Sequence, residues 1–133
     1  MNDLYTYIIA EAGVNHNGSE KLAYELIDIA SEAGADAIKF QTFSAESLVH
    51  EMAKKADYQI KTKKDIETQY QMLKRLELNH KEFSRIFKYC KKRKIEFMST
   101  AFDIKSLNFL TNKLKVKKLK IASGDITDSP LLF

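Results

Sequence analysis

The chain alternates strand-length apolar runs with longer stretches of helical periodicity, and nothing in it signals a hairpin. Four runs read as strands: Tyr5–Glu11 (YTYIIAE), Asp36–Gln41 (DAIKFQ), Ile95–Thr100 (IEFMST) and Lys118–Ser123 (KLKIAS). After the first, Leu22, Leu26, Ile27, Ala30 and Ala33 recur at helical spacing, with Ser19 as N-cap and Gly34 as stop. Before the third, Asn79 and Glu82 spell a capping box, followed by an apolar stripe of Phe83, Ile86, Phe87 and Cys90. Asp103 is placed to cap a helix buried through Ile104, Leu107 and Leu110. Repeats of strand and helix without hairpins call for parallel strands and right-handed crossovers, so the expected class is α/β. The 53 residues from Thr42 to Lys94 exceed one crossover helix. They predict an insertion over 44–62, before helices that start near Lys64.

Composition narrows the function classes. A chain of 133 residues with 44% hydrophobic and 30% charged content suits one globular domain and excludes a disordered tail. No apolar run reaches membrane-spanning length, and MNDLYTY is not a secretory signal. The lone Cys90 excludes an intrachain disulfide framework and fits a reducing cytoplasm. The net charge of +4 comes largely from two lysine-rich runs, Lys88–Lys94 and Lys113–Lys120. Without a nucleic-acid motif, these read as solvated helix ends and loops, so neither nucleic acid nor membrane is an expected partner.

Chemistry concentrates where strands end. The stretch Ile8–Ser19 (IIAEAGVNHNGS) packs Glu11, Asn15, His16 and Asn17 around Gly13 and Gly18. It is either a turn with solvated side chains or the rim of an active site. In DAIKFQ, Ile38 and Phe40 face one way, and Lys39 and Gln41 the other. A buried parallel strand is normally apolar on both faces. This run is therefore an edge strand with one wet face, or part of a closed barrel whose inward side chains line an active-site mouth. Glu11, Gln41, Ser99-Thr100 and Ser123-Gly124-Asp125 close the four strands, and Lys120 adds an amine. That is the end at which parallel α/β folds bind ligands. Two lysines, hydroxyls and a Ser-Gly turn suit an anion, while the carboxylates of Glu11 and Asp125 suit the hydroxyls of a polar substrate or a metal-bound water. Lys120 and Ser123 have opposite strand parity, so both reach one site only if the strand end bulges or turns.

The motifs AEAGVNHNG, KFQTF, ADYQIKT, TQYQMLKRLEL, STAFD and KIASGDITDSPLL run through the whole chain in order. Together they resemble the sialic acid synthase family, which includes N-acetylneuraminate and legionaminate synthases. The resemblance implies the first four units of a TIM (β/α)8 barrel, truncated, with residues 1–133 forming the N-terminal half. It implies a transferase of carbohydrate biosynthesis that condenses phosphoenolpyruvate with an N-acetylmannosamine-type sugar, giving a nine-carbon nonulosonic acid and phosphate. A divalent metal, Mn2+ or Mg2+, is expected for the family, with its ligands outside this chain. The full-length form is expected to be a homodimer.

Carried over motif by motif, Lys39 and Lys120 would hold the phosphate of phosphoenolpyruvate, with Thr100 and Ser123 beside its phosphate or carboxylate. Glu11, Gln41 and Asp125 would contact the sugar, and Glu11 or Asp125 would manage a proton at the reacting carbonyl. Asn15, His16, Tyr58 and Gln59 belong to the family pattern without an assigned role; Asn15 and His16 serve equally well to order the first loop through side-chain-to-backbone bonds. Two departures stand out. STAFD has Ala101 where the family has proline, which loosens the loop. SGD has Asp125 where the family has glutamate, one methylene shorter. The chain stops at Phe133, just past the fourth strand, so a second half-barrel and an antifreeze-like domain are absent from it. The expectation is a fragment inactive by itself. Other readings are a different phosphoenolpyruvate-condensing sugar-acid synthase, or a non-catalytic binding or assembly module.

Overall fold

A computed structural model describes residues 5–49, 67–127 and 129–132. The chain runs β1 (Ile9–Gly13), α1 (Glu20–Glu32), β2 (Ala37–Thr42), α2 (Ala45–Leu48), α3 (Gln69–Leu76) and α4 (His80–Lys92). It continues through β3 (Glu96–Ala101), α5 (Ile104–Asn108), a π-helical stretch (Phe109–Leu114), β4 (Leu119–Lys120), a 3-10 turn (Ser123–Asp125) and α6 (Ser129–Leu132). The strands form one parallel sheet in the order β1-β2-β3-β4. Strand β2 therefore has a neighbour on each side, which rules out the edge-strand reading of DAIKFQ.

Period-two alternation gives the sheet two chemically different faces. On one, Ile38, Phe40, Phe97 and Ala101 join Ala23, Ile27 and Ala30 of α1, Phe83, Ile86 and Cys90 of α4, and Phe109 and Leu110 in one core. Phe40 is its centre: its ring stacks on Phe97 at 5.7 Å and meets Phe83 edge-on at 6.3 Å. Cys90 is fully buried there, and burial pushes its thiol up to about 12, so it is an inert packing residue. Thr42 and Ser99 also lie on this side; their hydroxyls bond to each other at 2.8 Å.

The caps read from the sequence hold. The Ser19 hydroxyl accepts from the Leu22 N–H. Asn79 and Glu82 form a reciprocal capping box. Asp103 does more than cap α5. One oxygen accepts from the Ser106 N–H at 2.8 Å and the other from the Ser44 N–H at 2.9 Å, which ties the loop after β3 to the loop after β2.

Several expectations are corrected. The first strand begins at Ile9, not Tyr5, and the fourth spans Leu119–Lys120 only, because ladder partners exist only there. In α1 the buried stripe is Ala23, Ile27 and Ala30; Leu22 and Ala33 lie on its exposed flanks and Leu26 is half-buried. Ile104 is 51% exposed; Leu110 is buried and Leu107 packs against the core as expected, and Ser106 and Phe109 are buried beside them. Helix α3 begins at Gln69, and Lys64 and most of the expected insertion lie outside the described residues.

Gly18 joins the first loop to α3. It has φ +73°, and a Cβ there would lie 2.2 Å from the carbonyl oxygen of Arg75. Gly18→Ala therefore forces both a left-handed alanine and a backbone clash, and is expected to lower stability by roughly 2 kcal/mol or more. Urea unfolding checks this. A loss under about 0.5 kcal/mol, the range of ordinary surface substitutions, would mean that the loop does not rest on α3.

Candidate active site

The face of the sheet opposite the core carries the polar strand-end residues in two rows. Cross-strand register sets Glu11 beside Lys39 and Lys39 beside Met98. One step further along the strands, Gln41 lies beside Thr100 and Thr100 beside Lys120. Paired residues in a parallel ladder point to the same face, so the side chains of each row line up across the sheet.

The lower row is an ion pair. Lys39 Nζ lies 2.5 Å from Glu11 Oε2, with the lysine side chain 11% exposed and the carboxylate 56% exposed. The partner and the remaining access to water together offset the cost of holding an ammonium group this deep. Between the rows the register slips at Glu11–Gly13, a bulge that lets β1 turn outward. A methyl on Gly13 would lie 3.4 Å from Glu11 Oε1 and 3.6 Å from Gln41 Nε2, so a carboxylate and an amide flank one small open space. Sequence reasoning missed Gly13 as part of the site. Its signal was a glycine two residues past Glu11, where a side chain would fill that space.

The remaining candidates fall as follows. Thr100 is buried and Lys120 exposed. Strand β4 ends at Lys120 and the chain turns into the 3-10 segment at Ser123. Ser123 is exposed there. Asp125 is half-buried, and its Oδ2 is enclosed with no hydrogen-bond partner among the described residues. Asn15 is exposed in the first loop. Tyr58 and Gln59 lie outside the described residues.

His16 is buried, at 1% exposure. Its Nδ1 accepts the Gly18 N–H at 3.1 Å, so the neutral ring carries its proton on Nε2, which is enclosed without a partner among the described residues. The ring lies 6.1 Å from Phe40 and braces the loop from within. Burial pulls its pKa from 6.5 down to about 4. The unfolded chain protonates His16 first, so stability falls as pH drops from about 6.5 toward 4. From pH 7 to 4.5 this should remove about 2 kcal/mol from the wild type and far less from His16→Gln, read by denaturant midpoints. Equal losses in both proteins would place the titration elsewhere.

Among the described residues, no group of three or more His, Cys, Asp or Glu could hold a metal ion. None of the described helices is long and apolar enough to cross a membrane.

The sequence profile of the NeuB family matches residues 26–133. The chain belongs to the NeuB family. This NeuB-family chain is 52% identical over 126 residues to the N,N'-diacetyllegionaminic acid synthase of Legionella pneumophila, covering 95% of the chain and 35% of the relative. It is 50% identical to the Campylobacter jejuni protein of the same name, over 96% of the chain and 38% of the relative. The chain thus spans little more than a third of these relatives' length. Its fold superposes on the sialic acid synthetase of Leptospira borgpetersenii with a TM-score of 0.75 at 37% identity, covering 95% of this chain and 39% of that one.

Proposed function

We propose that this chain carries the substrate-gripping strand ends of a nonulosonic acid synthase. In the reaction, C3 of phosphoenolpyruvate bonds to the aldehyde carbon of an N-acetylated mannosamine-type sugar. The aldehyde oxygen takes a proton, water supplies oxygen at C2, and phosphate departs. The observation that carries the reading is the pair of rows, Glu11–Lys39 and Gln41–Thr100–Lys120, on one sheet face. The parallel order with a core on the other face suits the first four units of a (β/α)8 barrel, in which these rows face the axis.

Each group has a role that its setting allows. Lys39 and Lys120 supply positive charge to the phosphate, and the Thr100 and Ser123 hydroxyls supply directed bonds. Gln41 and Glu11, flanking the space above Gly13, suit sugar hydroxyls. Glu11 already accepts from the Lys39 ammonium, so it serves as a proton acceptor and as the group that holds Lys39 in place. Asp125, with an enclosed and unpartnered oxygen, is the better candidate to manage the proton that the aldehyde oxygen takes. A divalent metal, supplied with ligands from outside this chain, would polarise that aldehyde when bound.

Similarity to two N,N'-diacetyllegionaminic acid synthases favours a diacetamido-trideoxy sugar over N-acetylmannosamine. The test uses a protein that joins these residues to the rest of the barrel, given phosphoenolpyruvate with either sugar. Mass spectrometry should find the nine-carbon 2-keto acid, with the diacetamido sugar giving the higher kcat/KM. A protein that releases phosphate with neither sugar would refute the assignment.

A further inference from the structure

The two lysine-rich runs that read as unrelated solvated segments meet in space. Lys91 and Lys94, from the end of α4, and Lys115 and Lys117, after the π-helical stretch, line one cavity of about 340 Å³. Its walls include Phe87 and Val116, and it lies beside the start of β3, at the sheet end away from the rows described above. Lys91 Nζ sits 4.3 Å from the centre of the Phe87 ring. Lys94 and Lys115 have φ of +58° and +53°, so each helix leaves its last turn through a left-handed lysine, where glycine is the less strained residue. The single acidic residue of the lining, Glu96, is already met by Lys118 at 2.7 Å and by the Tyr7 hydroxyl, and these partners hold its carboxyl below the usual range. Four lysines therefore line a cavity with an apolar floor against a single carboxylate, Glu96, whose charge is shared with Lys118 and Lys117.

We propose that this cavity is a binding site for a small organic dianion with a flat apolar body, of the aromatic phosphate monoester class. The apolar body would displace water from the Phe87 and Val116 walls, while the phosphate would sit among the lysines. The four lysines are exposed and one carboxylate offsets only part of their charge, so a dianion would be drawn to them most strongly at low salt. The site is separate from the condensation chemistry and does not rest on the proposed reaction.

The probe is phenyl phosphate, titrated into the 133-residue chain at low salt and followed by amide chemical shifts. The expected result is saturable binding tighter than about 1 mM, with shifts centred on Lys94–Phe97 and Lys115–Lys117. The double variant Lys91→Gln/Lys115→Gln should weaken binding at least about tenfold, and the exposed-lysine control Lys21→Gln less than about twofold. Phenol and inorganic phosphate should each bind at least about tenfold more weakly than phenyl phosphate. No binding below about 1 mM, shifts confined to the Gln41–Thr100–Lys120 row, equal binding of inorganic phosphate, or an unaffected double variant would each overturn the proposal.

Discussion

Lys39→Ala, made in a protein that joins this chain to the rest of its barrel, is expected to lower kcat/KM for phosphoenolpyruvate by about 30- to 1,000-fold. The magnitude follows from setting. Lys39 is 11% exposed, so its contact with a phosphate is only weakly screened, and losing one charge-assisted contact removes roughly 2–4 kcal/mol. The variant also leaves Glu11 without its ammonium partner, so an uncompensated carboxylate would face the incoming dianion. Lys120→Ala should act in the same direction but near the lower end of that range, because Lys120 is exposed. Lys21→Ala, whose side chain is 86% exposed, should change kcat/KM by less than about threefold. Steady-state kinetics on folded variants decides the point. Equal, mild effects of Lys39→Ala and Lys21→Ala would mean that the phosphate binds on another strand.

The second large effect is on folding. Phe40→Ala should cost about 3–5 kcal/mol, since it removes a fully buried ring that touches Phe97, Phe83 and His16. Phe40 alternates with Lys39 and Gln41, so the residues that build the core and those that build the site are neighbours in sequence. The variant should lose stability without losing a site group. Ile29→Ala, at 64% exposure, should stay within about 0.5 kcal/mol. Thermal unfolding of both variants makes the comparison. A Phe40→Ala loss below about 1 kcal/mol would place the core on the other face of the sheet.

The type and order of the elements were legible because strand and helix periodicities differ and the caps are local. Their limits were less so. Tyr5–Ile8 has strand composition, but the ladder begins at Ile9 opposite Ala37, and a partner's position is invisible from one segment. Ile104 opens α5 at 51% exposure, and periodicity does not report which side of a helix's first turn its neighbours cover. The site was half legible. Alternation in DAIKFQ put Lys39 and Gln41 on one face, but register alone sets Lys39 beside Glu11 and Thr100 beside Lys120. The burial of His16 and the meeting of the two lysine runs arise from packing between distant segments, which local periodicity does not report.

The most direct test of the account is a crystal structure of phosphoenolpyruvate bound to a protein that includes these residues. The account predicts phosphate oxygens within hydrogen-bond distance, about 2.7–3.2 Å, of both Lys39 Nζ and Lys120 Nζ, on the sheet face opposite Phe40. A phosphate bound instead among Lys91, Lys94, Lys115 and Lys117, or touching neither Lys39 nor Lys120, would contradict it.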